Sequence, residues 1–262
     1  MSYSARNGVK TYYEVSGDGY PLVLVHANPF DRRLWMYQVA HFSTFLKVIN
    51  IDLRGYGYSD KPAKSTTMTE LGEDVVAVCR QESVSEAVFA GISVGGVMGL
   101  QLGLDHPEIF KTLILVGCSS RPGDRYQARI DGYMNEGVPH YHIQHLTSLV
   151  SKEFPQTKLG KYLLSFHTEM DSRLHAPAIA EIFRALQNRD FTARLPELKM
   201  PVLVVNGEFD NALTRSREMT KKISDAEHHT IPGTGHACCL EDPVMFDEIV
   251  LSFLKKRGFI GA

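Results

Sequence analysis

Ser93 lies between glycines in a segment whose pattern is typical of a catalytic serine. The segment GISVGG, residues 91–96, follows the apolar run AVFA at 87–90 and precedes a small, apolar segment at 94–104. A Gly-x-Ser-x-Gly turn from a strand into a helix exposes the serine hydroxyl, and the start of the helix offers free N–H groups to a developing oxyanion. The pattern predicts Ser93 as a nucleophile, the alternative being a glycine-rich turn with an incidental serine.

A serine hydroxyl is a weak nucleophile at neutral pH and needs a general base. Among 11 histidines, His236 ends the turn-rich segment IPGTGH at 231–236, between a predicted strand and a predicted C-terminal helix. Its position after both the serine and the candidate acids matches the chain order serine, acid, histidine. We therefore predict His236 as the base, the alternative being a histidine in an exposed loop.

A carboxylate that orients the histidine is expected between these two residues, directly after a strand. The run PVLVV at 201–205 leads into NGEFD at 206–210, which makes Asp210 the predicted acid. Glu208 is a competitor in the same turn, and Asp124, after the preceding strand, is a weaker one. Each of these carboxylates has the alternative of being a solvated turn residue.

Two backbone N–H groups are expected to bind the oxyanion that forms when a serine attacks a carbonyl. Val94, the residue after the serine, supplies one of them. The second is expected in HANPF at 26–30, which follows an apolar run, and we predict the Asn28 N–H because Pro29 has none. His26 is predicted to hold this loop by hydrogen bonds rather than to take part in the reaction.

Short apolar runs recur along the chain and alternate with amphipathic segments. The runs are residues 21–25, 48–52, 87–90, 113–116 and 201–205. Strands that are apolar almost throughout are typical of a parallel sheet covered on both faces, and helical spacing is visible between them, for example at Leu71, Val75 and Val78. This alternation predicts an α/β fold with a mostly parallel central sheet and helices on both faces.

No clear strand pattern lies between about residues 119 and 194. The segment is rich in His, Arg, Tyr and Met, and parts of it, such as 178–186, have helical spacing. We predict a helical cap at 119–194, inserted after the sixth strand, and a core made of 1–118 and 195–262. In open α/β sheets ligands bind at the carboxyl ends of the strands, so the cap is expected to cover that edge.

Three arginines at the start of the cap repeat every four residues. Arg121, Arg125 and Arg129 would form one face of a helix, which could bind a substrate carboxylate; the alternative is a solvated face. We predict Arg121 and Arg125 as substrate contacts, together with Phe30 beside the oxyanion loop.

Three histidines in the cap have a spacing that metal ligands can adopt. His140, His142 and His145 lie close together in PHYHIQH. No cysteine or carboxylate nearby completes a metal site, so we predict a packed or solvated segment and no metal.

The composition excludes several classes of partner. The 262 residues carry a formal net charge of −2 without a basic stripe, which argues against nucleic acid and anionic membranes as partners. No apolar run approaches the roughly 20 residues that span a bilayer, and the N-terminus lacks the apolar segment of a secretory signal, so a cytoplasmic location is expected. The four cysteines are predicted to be reduced, and the oligomeric state stays undecided.

Five segments in chain order carry a resemblance to a known superfamily: HANPF, DLRGYGYSDKP, GISVGG, GEFD and GTGHACCLEDP. Over most of the chain outside the cap, the sequence resembles the α/β-hydrolase fold superfamily, and within it 3-oxoadipate enol-lactonase-like hydrolases and small esterases. The resemblance implies an eight-stranded sheet and a catalytic triad carried here by Ser93, Asp210 and His236.

The predicted function is cleavage of a small-molecule carboxylic ester or lactone through an acyl-enzyme, without a cofactor or metal. Three alternatives stay open at this point. The same triad could serve a carbon–carbon bond hydrolase of ring-cleavage products or a cofactor-free perhydrolase. A small-molecule receptor that has kept a hydrolase pocket is the third.

Overall fold

The apolar runs of the sequence form the inner strands of a sheet in a computed structural model that describes residues 2–62 and 66–261. In chain order, the strands of these residues are β1 (Ser2–Arg6), β2 (Val9–Ser16), β3 (Tyr20–Val25), β4 (Leu46–Ile51), β5 (Ala87–Ile92), β6 (Phe110–Val116), β7 (Val202–Gly207) and β8 (Ala226–Ile231). They form one eight-stranded sheet in the order β1-β2-β4-β3-β5-β6-β7-β8.

The pairing of the strands explains why the central runs are apolar. β1 pairs with β2 and β2 with β4 in antiparallel fashion, whereas every neighbouring pair from β4 to β8 is parallel. All residues of β5 and β7 are buried, as expected for strands covered on both faces. The predicted α/β fold with a mostly parallel sheet is confirmed.

Helices cover both faces of the sheet. In chain order, the α-helices of the described residues are α1 (Met36–Phe42), α2 (Met68–Gln81), α3 (Val94–Asp105), α4 (Tyr126–Asn135), α5 (His140–Thr147), α6 (Lys158–Thr168), α7 (Ala176–Gln187), α8 (Leu213–Thr220), α9 (Cys238–Glu241) and α10 (Pro243–Lys256). Short 3-10 turns lie at Arg32–Trp35, Phe154–Gln156, Asp171–Arg173 and Leu195–Glu197.

Two apolar clusters lie on opposite faces of the sheet because neighbouring strand residues point to opposite sides. Val23 and Phe89 belong to a cluster that includes residues of α2 and α3. Leu22 and Val88, one position earlier in each strand, belong to a second cluster that includes residues of α1 and α10. Burial of apolar area on both faces, at roughly 25 cal/mol per Å², is the main force that holds these layers together.

The parallel strands bring the ends of distant segments to one edge of the sheet. The loops after β3, β5, β6, β7 and β8 all leave the sheet at its carboxyl edge, which is where open α/β sheets bind ligands. Residues 119–194, all of which the structure describes, contain α4 to α7 and no strand.

Four cysteines are free and buried, as predicted for reduced thiols. Burial raises the pKa of the Cys118 and Cys239 thiols, so neither supplies a thiolate at neutral pH. Among the helices of the described residues, none is both long and apolar enough to cross a membrane.

Candidate active site

A strained turn between β5 and α3 carries the predicted nucleophile. Ser93 has φ 57° and ψ −114°, a backbone conformation that costs a non-glycine residue roughly 1–2 kcal/mol. Its N–H donates to the Val116 carbonyl at 2.8 Å, which ties the turn to the neighbouring strand. The serine is only half-buried, so its hydroxyl is open to a cavity above the sheet.

The glycines on either side of this serine allow a close approach of backbone segments. A Cβ atom on Gly91 would lie 2.3 Å from the Gly95 carbonyl oxygen, and one on Gly95 would lie 2.5 Å from the Val25 carbonyl oxygen. Any side chain at either position would therefore force the turn apart. The contact with Val25 also places the turn beside the end of β3, where the oxyanion loop begins.

The predicted acid and base are in direct contact. His236 Nδ1 donates to Asp210 Oδ1 at 2.9 Å. Asp210 also accepts from the Ala212 N–H at 2.8 Å and from Asn206 Nδ2 at 2.7 Å, and its side chain is fully buried. Burial alone would raise the pKa of the Asp210 carboxyl, but the neighbouring His236 and these hydrogen bonds lower it below its usual value.

This contact decides which nitrogen of His236 carries the proton. Because the Asp210 carboxylate only accepts hydrogen bonds, Nδ1 of the neutral imidazole must be the donor. The second nitrogen, Nε2, is then free to accept a proton. His236 and Ser93 line the same cavity, so the histidine has the tautomer that a general base for this serine requires.

A glycine that the sequence analysis did not single out makes room for this pair. Gly117, directly after β6, has φ +57°, and a Cβ atom there would lie 2.8 Å from His236 Cε1 and 3.2 Å from Asp210 Oδ2. Only glycine satisfies both the backbone conformation and the contact. In the sequence, the position of Gly117 directly after the apolar run at 113–116 is the one feature that could have indicated this role.

Both predicted oxyanion donors lie at the same edge of the sheet. Val94 is the first residue of α3, so its N–H has no acceptor within the helix. Asn28 is buried and lines the cavity together with Ser93. The Asn28 side-chain amide has no hydrogen-bond partner among the described residues, which leaves it available to a bound group.

His26 holds the oxyanion loop and does not line the cavity. Its Nδ1 donates to the Ala27 carbonyl at 2.9 Å, and its Nε2 accepts from the Leu53 N–H at 3.0 Å. Burial lowers the pKa of this imidazole, which keeps it neutral and able to accept that bond. The loop after β3 is thereby tied to the loop after β4.

The two competing carboxylates have other partners. Glu208 is exposed and accepts from the Gly233 N–H at 2.8 Å, so it braces the loop before His236 without contacting the imidazole. Asp124 is 94% exposed, and its nearest cation is Arg215 at 3.7 Å. Of the three candidates, Asp210 is the one that the structure brings to the histidine.

A cavity of about 280 Å³ lies above these residues. Asn28, Ser93, Asp210 and His236 form its lower wall. Residues between β6 and β7 form the wall opposite, namely Arg125, Tyr126, Arg129, His145, Leu149 and Phe183. A serine, a histidine and a buried carboxylate that line one cavity can perform nucleophilic catalysis on an acyl group.

Comparison with known proteins identifies the family. The family model described as alpha/beta hydrolase fold matches residues 20–243. The chain belongs to the α/β-hydrolase family. It is therefore a hydrolase by family, with the sheet and the strand-to-helix serine turn of that fold.

Individual relatives of this α/β hydrolase are similar over almost their whole length. The chain is 25% identical to 3-oxoadipate enol-lactonase 1 of Acinetobacter baylyi over 256 residues, covering 95% of each protein. The crystal structure of the enol-lactonase from Burkholderia xenovorans superposes with a TM-score of 0.91 at 24% identity, covering 97% of this chain and 100% of that one. An N-acyl homoserine lactone degrading enzyme is 28% identical with a TM-score of 0.84, covering 96% and 100%.

Two of the three predicted substrate contacts of this α/β hydrolase lie away from the cavity. Phe30 is buried, and its ring packs 4.9 Å from that of His167 on α6. Arg121 is about half exposed and pairs with Glu218 at 2.7 Å. Arg125 does line the cavity.

The prediction that the cap arginines share one helical face is wrong. Helix α4 begins at Tyr126, so Arg121 precedes it and does not follow its periodicity. Arg125 is the N-cap residue, and its carbonyl accepts from the Arg129 N–H at 3.0 Å, so these two arginines lie one turn apart. Arg129 is within the helix and lines the cavity. Arg215 on α8 is a further cavity arginine that was not predicted, because it is remote from the others in sequence and no local pattern connects them.

Two of the three histidines in the segment PHYHIQH, His142 and His145, are buried and packed against other side chains. His142 Nδ1 contacts Asp171 Oδ1 at 2.5 Å, and His145 Nδ1 lies 3.1 Å from the Tyr133 hydroxyl. Within the part of the chain that the structure describes, no group of three or more His, Cys, Asp or Glu could hold a metal ion. His140 is exposed.

Burial of a further histidine, His167 on α6, is expected to make the stability of this α/β hydrolase depend on pH. Burial lowers the pKa of His167 to about 3, whereas an unfolded histidine titrates near 6.5. Between these values the unfolded chain binds a proton that the folded chain does not, so stability is lost as pH falls below about 6.5. The free energy of unfolding should fall between pH 7.5 and pH 5.5 in both proteins. We expect the fall to be about 1 kcal/mol smaller in His167→Leu than in the unmodified protein.

Chemical denaturation at the two pH values measures this difference. His175→Leu removes an exposed histidine of the same segment as a control, and we expect it to keep the pH dependence of the unmodified protein. Equal losses in His167→Leu and the unmodified protein would show that His167 takes up its proton without unfolding.

Proposed function

We propose that this α/β hydrolase cleaves a carboxylic ester or lactone through an acyl-enzyme on Ser93. The observation that carries the proposal is the 2.9 Å hydrogen bond from His236 Nδ1 to the buried Asp210, in the cavity that Ser93 lines. The likeness to enol-lactonases and to a lactone-degrading enzyme supports an acyl substrate.

In the first half of the proposed reaction, Ser93 Oγ attacks the substrate carbonyl while His236 Nε2 takes the hydroxyl proton. The N–H groups of Val94 and Asn28 bind the oxyanion of the tetrahedral intermediate. The Asp210 carboxylate stabilises the imidazolium that has formed, without taking its proton. Collapse of the intermediate breaks the bond to the leaving alcohol, which receives the proton from His236.

The second half repeats these steps with water as the nucleophile. His236 Nε2 takes a proton from the water as it attacks the acyl carbon, and it then returns the proton to Ser93 Oγ when the acid product leaves. In a lactone the alcohol and the acid belong to one molecule, so a single hydroxy acid is released. Neither half requires a metal or an organic cofactor.

Repeated turnover of simple substrates tests the proposal. We expect the protein to hydrolyse p-nitrophenyl butyrate or a small lactone with a turnover number in the usual range of about 1–10³ s⁻¹. A single stoichiometric burst with every ester and lactone would favour a receptor that stalls as an acyl-enzyme. Preferential cleavage of a dienone diketo acid would favour the carbon–carbon bond hydrolase, and peroxide-dependent halogenation in acetate would favour the perhydrolase.

The rate is expected to rise with pH, since only a neutral imidazole accepts the proton of Ser93. The lowered pKa of Asp210 keeps that carboxylate ionised from pH 5 upwards, so it adds no second ionisation to the acidic limb. We therefore expect kcat/KM for a neutral ester to increase about tenfold per pH unit at the acidic end, then to level off. Initial rates in constant ionic strength buffers between pH 5 and 9 measure the profile, and a flat profile would remove His236 as the base.

A further inference from the structure

Three arginines line the cavity from two different parts of the chain. Arg125 and Arg129 lie at the start of α4 and within it, and Arg215 lies on α8, shortly after Asp210. Gly123, just before α4, lies beside the Arg215 side chain, since a Cβ atom there would be in ordinary van der Waals contact with Arg215 Nη2 at 3.5 Å. The cavity above Ser93 therefore has guanidinium groups on both the cap side and the core side.

These positive charges are poorly balanced by the protein itself. Arg129 donates to the Ser148 hydroxyl at 2.8 Å and lies 3.4 Å from the Tyr141 hydroxyl, and both of these partners are neutral. Across residues 2–62 and 66–261, no ion pair joins a carboxylate to Arg125 or Arg129. Asp210, the buried carboxylate of the cavity, already binds His236, Ala212 and Asn206.

Arg215 is partly enclosed by the protein. Its side chain is 26% exposed, and its Nε is buried without a hydrogen-bond partner among the described residues. The Asp124 carboxylate, which also lines the cavity, lies 3.7 Å away, but it is 94% exposed, and such an exposed pair contributes little. A half-buried guanidinium with an unused donor is suited to a carboxylate, which accepts two parallel hydrogen bonds from the guanidinium.

We propose that the substrate carries a free carboxylate in addition to its ester or lactone group, and that Arg215, with Arg125 and Arg129, binds it. This inference rests on the proposed function for the reaction at Ser93. An uncharged ester would cover the partly buried guanidinium of Arg215 without supplying a hydrogen-bond acceptor, which costs desolvation without compensation.

Two matched pairs of esters test the charge preference of the cavity. Mono-p-nitrophenyl glutarate and p-nitrophenyl pentanoate differ by a carboxylate on the acyl side, and 4-acetoxybenzoate and 4-acetoxybenzamide by one on the alcohol side. For each pair we divide kcat/KM for the anionic ester by kcat/KM for the neutral ester. For at least one pair, we expect this ratio to be about 10- to 100-fold lower in Arg215→Ala than in the unmodified protein. The pair that responds shows which side of the substrate carries the carboxylate.

Arg217→Ala is the matched control on the same helix. Arg217 is exposed and donates to Thr230 Oγ1 at 3.1 Å, outside the cavity. We expect this variant to keep both ratios of the unmodified protein, and thermal unfolding verifies that both variants are folded. Ratios in Arg215→Ala that match those in Arg217→Ala for both pairs would overturn the inference, whereas hydrolysis of the neutral esters would still support the proposed function.

A binding measurement separates the inference from the reaction itself. Titration calorimetry uses the anionic ester of the pair that responds, mono-p-nitrophenyl glutarate or 4-acetoxybenzoate. Its dissociation constant for Ser93→Ala protein is expected to be about 10- to 100-fold lower than for the Ser93→Ala/Arg215→Ala double variant. This difference would support anion binding even if Ser93 proved not to be the nucleophile. Equal dissociation constants in the two proteins would contradict it.

Discussion

Ser93→Ala is expected to lower kcat for an activated ester about 10⁴- to 10⁶-fold, leaving only the rate that substrate binding and the oxyanion donors sustain. The Ser93 hydroxyl forms the covalent bond to the acyl group. Without it, His236 and Asp210 have no nucleophile to activate, and no acyl-enzyme forms. Alanine has the same backbone preferences as serine at φ 57°, so the turn itself is not expected to change. Steady-state hydrolysis of p-nitrophenyl butyrate measures the loss.

Ser120→Ala provides the matched control for this change. Ser120 is buried, and its hydroxyl bonds to Thr192 Oγ1 at 2.8 Å, outside the cavity. We expect near-unchanged hydrolysis in this variant. An alkyl phosphonate that modifies Ser93 in the unmodified protein, as mapped by mass spectrometry, would identify the nucleophile directly. Equal activity of the two variants would show that another group attacks the substrate.

Asp210→Asn is expected to lower kcat about 10³- to 10⁴-fold while the protein stays folded. The asparagine oxygen can replace Oδ1, which accepts from His236 and Ala212, but its NH₂ group would then face the NH₂ of Asn206. Asn206 cannot rotate its amide freely, because its Oδ1 lies 3.1 Å from His228 Nε2. The variant therefore has mismatched donors and no negative charge to stabilise the imidazolium.

Glu208→Gln is the control that separates the two carboxylates of this turn. The glutamine oxygen can still accept from the Gly233 N–H, so the loop before His236 keeps its support. We expect kcat to change less than about threefold, because Glu208 has no contact with the imidazole. A larger loss in Glu208→Gln than in Asp210→Asn, with both proteins folded, would reverse the roles assigned to these carboxylates.

The sequence by itself determined the fold class, because strand burial and helix amphipathicity are local periodic signals. The run at 201–205 became β7, and 178–186 lies within α7. The strands β1 and β2 lacked such a run and came only from the resemblance, because an antiparallel edge has fewer apolar residues. The residues Ser93, Asp210 and His236 were also predicted from sequence, since each lies in a turn shortly after a strand, among small or polar residues.

Only the tertiary structure decided which side chains share the cavity. The four-residue spacing of Arg121, Arg125 and Arg129 predicted a common face, but a helix that begins at Tyr126 directs Arg121 towards Glu218. Arg215 lies far from Arg125 in sequence. Both line the same cavity because the parallel strands that precede them end at one edge of the sheet. Such meetings depend on register and packing between distant segments, for which a single sequence carries no local signal.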